Sequence, residues 1–144
     1  MTPRLCNLYV RSGHAFVVPM SRTVDGFWIA NDECLIADPA SDEQLADRVR
    51  DSLARSGSEV TTPPRDAPRG EALLRAAGVR SRGEFSKGGT RGVSIHAVGD
   101  TITLTPMHNR SPGSGFDHLV DRSTVVEDPT VLGKALRDAL AAAT

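Results

Sequence analysis

The chain has 144 residues, 39% hydrophobic and 24% charged, with 18 acidic against 17 basic side chains for a formal charge of −1. A chain of this length buries about 70% of the surface its unfolded form exposes, so it can build a core without disulfides, and one domain spanning 1–144 is expected. The near-neutral balance excludes a strongly basic nucleic-acid coat and an acidic disordered tail. No apolar run approaches the roughly 18–20 residues of a membrane helix, and residues 1–10 lack the apolar stretch of a signal peptide.

Two cysteines, Cys6 and Cys34, are too few for a disulfide scaffold and are expected to be reduced, half-buried thiols in the cytosol. The first predicted elements are short strands. Residues 5–10 and 15–18 flank the turn-prone Arg11-Ser12-Gly13-His14, which predicts a β-hairpin. Residues 26–30 and 34–37 form a second predicted pair around Asn31-Asp32-Glu33, completing an antiparallel meander that needs cover on one face.

A helix is predicted from Ser41, with Gln44 three residues on as a capping box and Asp42 and Glu43 in the first turn, where the helix dipole favours negative charge. Leu45, Val49 and Leu53, with Ala46 beside them, give one apolar stripe, and Gly57 ends it. Residues 61–69 carry Pro63, Pro64 and Pro68 and predict an extended connector. A short helix over 70–77 stops at Gly78, and Ser81 with Glu84 repeats the capping-box pattern before Phe85.

Val93, Ile95 and Ala97, then Ile102 and Leu104, alternate with polar residues on either side of Gly99-Asp100, a half-buried hairpin. Residues 107–115 read as a loop. Asp128 caps a final helix with Pro129 at its first position, and Val131, Leu132, Ala135, Leu136, Ala139 and Leu140 are its expected buried face. The fold class is α+β: a mostly antiparallel sheet, meander plus hairpin, covered by about three helices.

Chemistry is sparse. His14, His96, His108 and His118 with the two cysteines give no C-x-x-C, H-E-x-x-H or H-x-x-x-H spacing, so no metal is expected. There is no G-x-S-x-G elbow, and Lys87-Gly88-Gly89-Thr90-Arg91-Gly92 runs into a strand rather than a helix, unlike a phosphate-binding loop. No cofactor and no catalytic residue is expected. The best enzymatic alternative is a small ribonuclease using His96, His108 and His118 as acid and base.

Charge is unevenly placed. Residues 25–51 hold eight acids against Arg48 and Arg50, a net of −6, whereas residues 65–91 carry a net of +4. An acidic stretch of this kind suits either solubility or a basic protein partner, whose approach a complementary field accelerates about 10–10³-fold.

Three strings in order point further: Pro19, Arg22-Thr23 and Gly26-Phe27-Trp28-Ile29; Leu74-Arg75-Ala76-Ala77-Gly78-Val79 with Ser81, Phe85 and Lys87-Gly88; and Ile102-Thr103-Leu104-Thr105-Pro106 with Gly115-Phe116. Together they resemble the immunity proteins of bacterial contact-dependent growth inhibition systems over residues 17–116. Arg82-Gly83 departs from that pattern, which would place a bulky aromatic there. The resemblance implies a cytoplasmic antidote in a Gram-negative bacterium. It would bind, one to one, the C-terminal toxin domain of a secreted effector and block its active site, with no nucleic acid or membrane contact of its own. Toxins so paired are often ribonucleases, tRNA being a frequent target. The expected toxin-binding residues are Asp25, Asp32, Glu33 and Asp38, with Met107 and His108 as anchors on a second surface. Phe27 and Trp28, neighbours in a strand, face opposite ways; Trp28 is expected to pack and Phe27 is free to serve as a contact.

Overall fold

The computed structural model describes residues 2–57, 59–64, 67 and 70–144. Four long strands form the middle of one antiparallel sheet: β1 (Arg4–Arg11), β2 (His14–Thr23), β6 (Arg91–Val98) and β7 (Thr101–Asn109), in the order β2-β1-β6-β7. The two expected hairpins are both present. The first turns at Ser12-Gly13, where both residues have positive φ (52° and 78°), the geometry that matches strand twist in a two-residue turn. The second turns at Gly99-Asp100.

Each outer edge of this sheet is covered by short strands rather than left open, which blunts edge-to-edge association. β3 (Trp28–Ala30) and β4 (Leu35–Ala37) both lie antiparallel to β2, at residues 20–22 and 15–17 of β2 respectively. The expected pair formed by these two segments is therefore corrected: they do not pair with one another, because both find ladder partners on the same longer strand. β5 (Glu59–Val60) runs parallel to the end of β2. At the other edge, β8 (Phe116–His118) and β9 (Thr124–Val126) pair with two successive stretches of β7.

Four helices complete the α+β fold: α1 (Asp42–Arg55), α2 (Glu71–Ala77), α3 (Arg82–Ser86) and α4 (Leu132–Ala142). α1 starts where its cap predicts, with Ser41 Oγ accepting from the Gln44 N–H at 3.1 Å. The box is not reciprocal, however. The Gln44 side chain accepts from the Asp38 N–H (3.0 Å), since the Ser41 N–H already donates to the Asp38 carbonyl. α3 repeats the arrangement: Ser81 accepts from the Glu84 N–H, and Glu84 accepts from the Arg80 N–H.

α1 and α4 cover one face of the sheet. Cys6 and Leu8 of β1, Ala15 and Val17 of β2, Val93 and Ile95 of β6 and Leu104 of β7 meet Leu45, Val49, Leu132 and Leu136, every one of them without exposed surface. Each of the Leu, Ile and Val side chains contributes about 1.5–3 kcal/mol by leaving water. Cys6 is fully buried rather than half-buried, and burial pushes its thiol up to about 12; the buried Ser52 hydroxyl faces it. Asp128 does cap a turn with Pro129 at its start, but that turn (Pro129–Val131) is a 3-10 segment leading into α4. Val131 is consequently rotated off the buried face and exposed, a second correction, while Leu132, Leu136, Ala139 and Leu140 are buried as expected. Among the described residues, no helix is long and apolar enough to cross a membrane.

Candidate functional site

Alternation along the strands sends Asn7 and Tyr9 of β1, Phe16, Val18 and Met20 of β2, and Met107 of β7 to the face away from α1 and α4. Among the described residues, the helices that lean on this face are the short α2 and α3. Phe16, Val79 and Phe85 form a small core there, with Tyr9, Leu73 and Leu74 partly buried against it. α2 itself buries no residue completely. Tyr9 joins the cluster, its ring edge-on to Phe85 at 5.4 Å and tilted against Phe116 at 5.3 Å.

Two devices hold this face in shape. Gly92 lets β6 pass beneath the cluster: a Cβ there would lie 2.7 Å from Met107 Cε and 3.2 Å from the Tyr9 ring. The Asn109 amide donates to the carbonyls of Ser86 and Thr90 (2.8 and 2.9 Å), tying the end of β7 to α3 and the loop after it.

What remains uncovered is a cleft of about 600 Å³. Its floor is Tyr9, Met20 and Met107; Leu73, Leu74, Arg82 and Phe85 form one wall, Trp28 a second, and Arg110 to Phe116 the third. Arg82-Gly83, where the resemblance would place an aromatic, borders this space. A Cβ at Gly83 would meet only Ser81 Oγ, at 3.9 Å.

The expected site residues fall into three settings. Met107 and His108 are not in a loop: β7 runs through Asn109, because its register with β8 continues to the Asn109–Phe116 pair. Met107 is 3% exposed and forms part of the cleft floor, so it presents no free anchor to an outer surface. His108, next along the strand, points the other way and pairs its Nδ1 with Thr144 Oγ1 at 2.7 Å.

The four carboxylates follow the β2 edge. Asp25 lies just past the end of β2, Asp32 and Glu33 in the link between β3 and β4, and Asp38 just past β4, a strip about 30 Å long by strand geometry. They are not idle charges. Glu33 and Asp51 flank Arg55 (2.9 and 3.2 Å), and their hydrogen bonds raise the Arg55 pKa further. Asp32 meets Arg75 of α2 at 3.7 Å, so the acidic and basic segments of the sequence touch here. Thr62 donates its hydroxyl to Asp25, and Asp38 Oδ1 accepts from the Ala40 N–H.

The three histidines of the enzymatic alternative do not converge. His96 is opposite Thr103 and His118 opposite Met107, four residues or about 13 Å apart along β7, and His108 faces the other side of the sheet. Among the described residues, no group of three or more His, Cys, Asp or Glu is placed to hold a metal ion. Of the neighbouring pair, Trp28 is partly buried in the cleft wall and Phe27 is 64% exposed, its backbone pinned by the buried Thr23 hydroxyl, which accepts from the Phe27 N–H at 2.9 Å. The cleft is the feature that sequence reasoning missed, since its residues come from six separate segments.

No family model matches the sequence, and no curated protein matches it. Solved structures do match the fold. A protein of unknown function from Neisseria meningitidis superposes with a TM-score of 0.77 at 16% identity, covering 99% of this chain and 96% of that one. A chain of the CdiA-CT/CdiI toxin and immunity complex from Yersinia pseudotuberculosis superposes with a TM-score of 0.75, also at 16% identity, covering 100% of this chain and 99% of that one. At this identity the likeness is one of fold, and it extends from end to end.

Proposed function

We propose that this chain is an immunity protein that binds the toxin domain of a contact-dependent growth inhibition effector and neutralises it by covering its active site. The observation that carries this reading is the end-to-end fold shared with a chain of a toxin and immunity complex. The ordered strings at Gly26-Phe27-Trp28, Leu74–Val79 and Ile102–Pro106 favour the immunity partner over the toxin. The divergent histidines argue against the ribonuclease alternative, in which acid and base must reach one phosphate.

On this reading the protein acts as one domain, in the cytoplasm, in a one-to-one complex, and the toxin is a nuclease, with tRNA the substrate the resemblance favours. A nuclease holds phosphates with Lys and Arg, so the acidic strip along the β2 edge is the surface suited to cover it. The carboxylates at Asp32 and Glu33 sit in exposed or half-exposed pairs, which contribute little to folding and remain available to a stronger cationic partner.

The test is binding to the toxin domain encoded beside this gene. The wild-type protein forms a one-to-one complex and rescues cells that express the toxin. Asp32→Asn with Glu33→Gln slows association at low salt and flattens its salt dependence, because rim charges set the encounter rate. Asn tolerates the left-handed backbone of residue 32 (φ 64°), so the fold is retained. Absence of any complex overturns the immunity reading. Unchanged association kinetics in the double variant leave that reading standing and remove the acidic strip from the interface.

A further inference from the structure

The cleft on the aromatic face has a composition unlike the rest of the chain. Of six aromatic side chains, four (Tyr9, Trp28, Phe85 and Phe116) line it. The ionisable groups along its lining, apart from the Tyr9 phenol, are Arg82, Arg110 and His118, with no carboxylate among the described lining residues. In a chain with one more acid than base, that sign is a local arrangement and not a consequence of composition.

Arg110 is placed with care. Gly115, at φ 88°, lies so close that a Cβ there would be 2.6 Å from Arg110 Nη2. Asp117, which is outside the lining, approaches its Nε at 3.6 Å from behind. Arg82 enters from α3, near enough to Tyr9 for its charge to act on the phenol. The volume of about 600 Å³ falls within the roughly 300–1,000 Å³ of small-molecule sites, and a mostly apolar lining with a few polar groups is the usual composition of such sites.

We propose that this cleft binds a small amphipathic anion: a free molecule with a flat aromatic or branched apolar body and one carboxylate, sulfonate or phosphate. The body stacks among Tyr9, Trp28, Phe85 and Phe116, and the anionic group lies between Arg82 and Arg110. Guanidinium pairs suit such groups through paired N–H donors. This inference does not depend on the identity of the toxin.

Trp28 is the single tryptophan of the chain and lies in the cleft wall, so it reports occupancy directly. The probes are 1-anilinonaphthalene-8-sulfonate and its uncharged counterpart N-phenyl-1-naphthylamine, titrated into the folded full chain and followed by energy transfer from Trp28. The sulfonate is expected to bind saturably at one site, about tenfold more tightly than the neutral probe, since a charge-assisted contact is worth about that factor. Arg82→Gln and Arg110→Gln each weaken the sulfonate about five- to tenfold and leave the neutral probe within about twofold. Gly83→Phe, which fills open space at the α3 wall, abolishes both; Ala30→Phe serves the same end if the first variant fails to fold. Non-saturable binding, equal affinity for the two probes, or indifference to both arginines overturns the proposal. So does a filled variant that keeps the sulfonate but loses the toxin, which would make the cleft a contact surface for the partner protein.

Discussion

The two faces of the sheet are built from the same strands yet follow opposite designs. Under α1 and α4 the contacts are aliphatic and closed, with Leu8, Leu45, Ile95, Leu104, Leu132 and Leu136 wholly without solvent contact. On the other face the contacts are aromatic and incomplete: α2 and α3 are short, α2 buries no residue fully, and a cleft stays open. The difference follows from length. Helices of 14 and 11 residues span the strands and exclude water, whereas helices of seven and five residues cover only part of the face. Full burial is concentrated on one side, so side chains on the other can change at less cost to folding.

The sharpest way to break this comparison is to truncate one leucine on each side. Leu136→Ala, at a fully buried position, is expected to cost about 2–5 kcal/mol in denaturant unfolding through lost transfer energy and a residual cavity. Leu74→Ala, partly buried against the aromatic cluster, is expected to cost no more than about half as much, because water already reaches the site. Equal losses would mean that the open face is as stabilising as the closed one.

Gly133 probes how tightly the closed face is built. Alanine in a helix is favoured over glycine by about 1 kcal/mol, yet a Cβ at 133 would lie 2.5 Å from the Asp42 carbonyl oxygen at the start of α1. Backbone cannot yield as a flexible side chain does, so Gly133→Ala is expected to destabilise by about 1–3 kcal/mol. A stabilised variant in thermal melts would show that α1 and α4 are not in close contact there.

Cys6 sharpens the comparison through pH. Its folded pKa, about 12, lies above the ordinary 9.0 because burial disfavours the thiolate. Its contribution is therefore complete below pH 9 and is lost as pH rises from 9 toward 12, at up to about 1.4 kcal/mol per unit. Cys6→Val should flatten the decline in unfolding free energy over that range. Cys34, half-buried on the other face and raised to about 11, stays in the variant, so the difference isolates Cys6. The smallest expected effect is at the entry to α1. Ser41→Ala removes the bond from the Gln44 N–H and should cost about 1 kcal/mol.

Much of the closed face was legible in the sequence because local physics writes it there. The four-residue spacing of Leu45, Val49 and Leu53, the cap at Ser41, and the alternation about Gly99-Asp100 each follow from capping or from helix or strand periodicity within a short stretch. What failed was decided by partners distant in the chain. β3 and β4 look like a hairpin until β2 is present to pair with both, and residues 107–109 look like loop until β8 supplies a ladder.

The open face was the least legible part. Its aromatics are scattered in the sequence at positions 9, 16, 28, 85 and 116, each indistinguishable from an ordinary core residue, and only the sheet order β3-β2-β1-β6-β7-β8, with α3 packed against it, brings them together. The sequence by itself determined the longer elements, the fold class and the segregation of charge, since propensity, capping and periodicity act over a few residues. Tertiary structure alone decided which apolar face would be sealed and which left open, because burial depends on what crosses over a residue and not on what stands beside it.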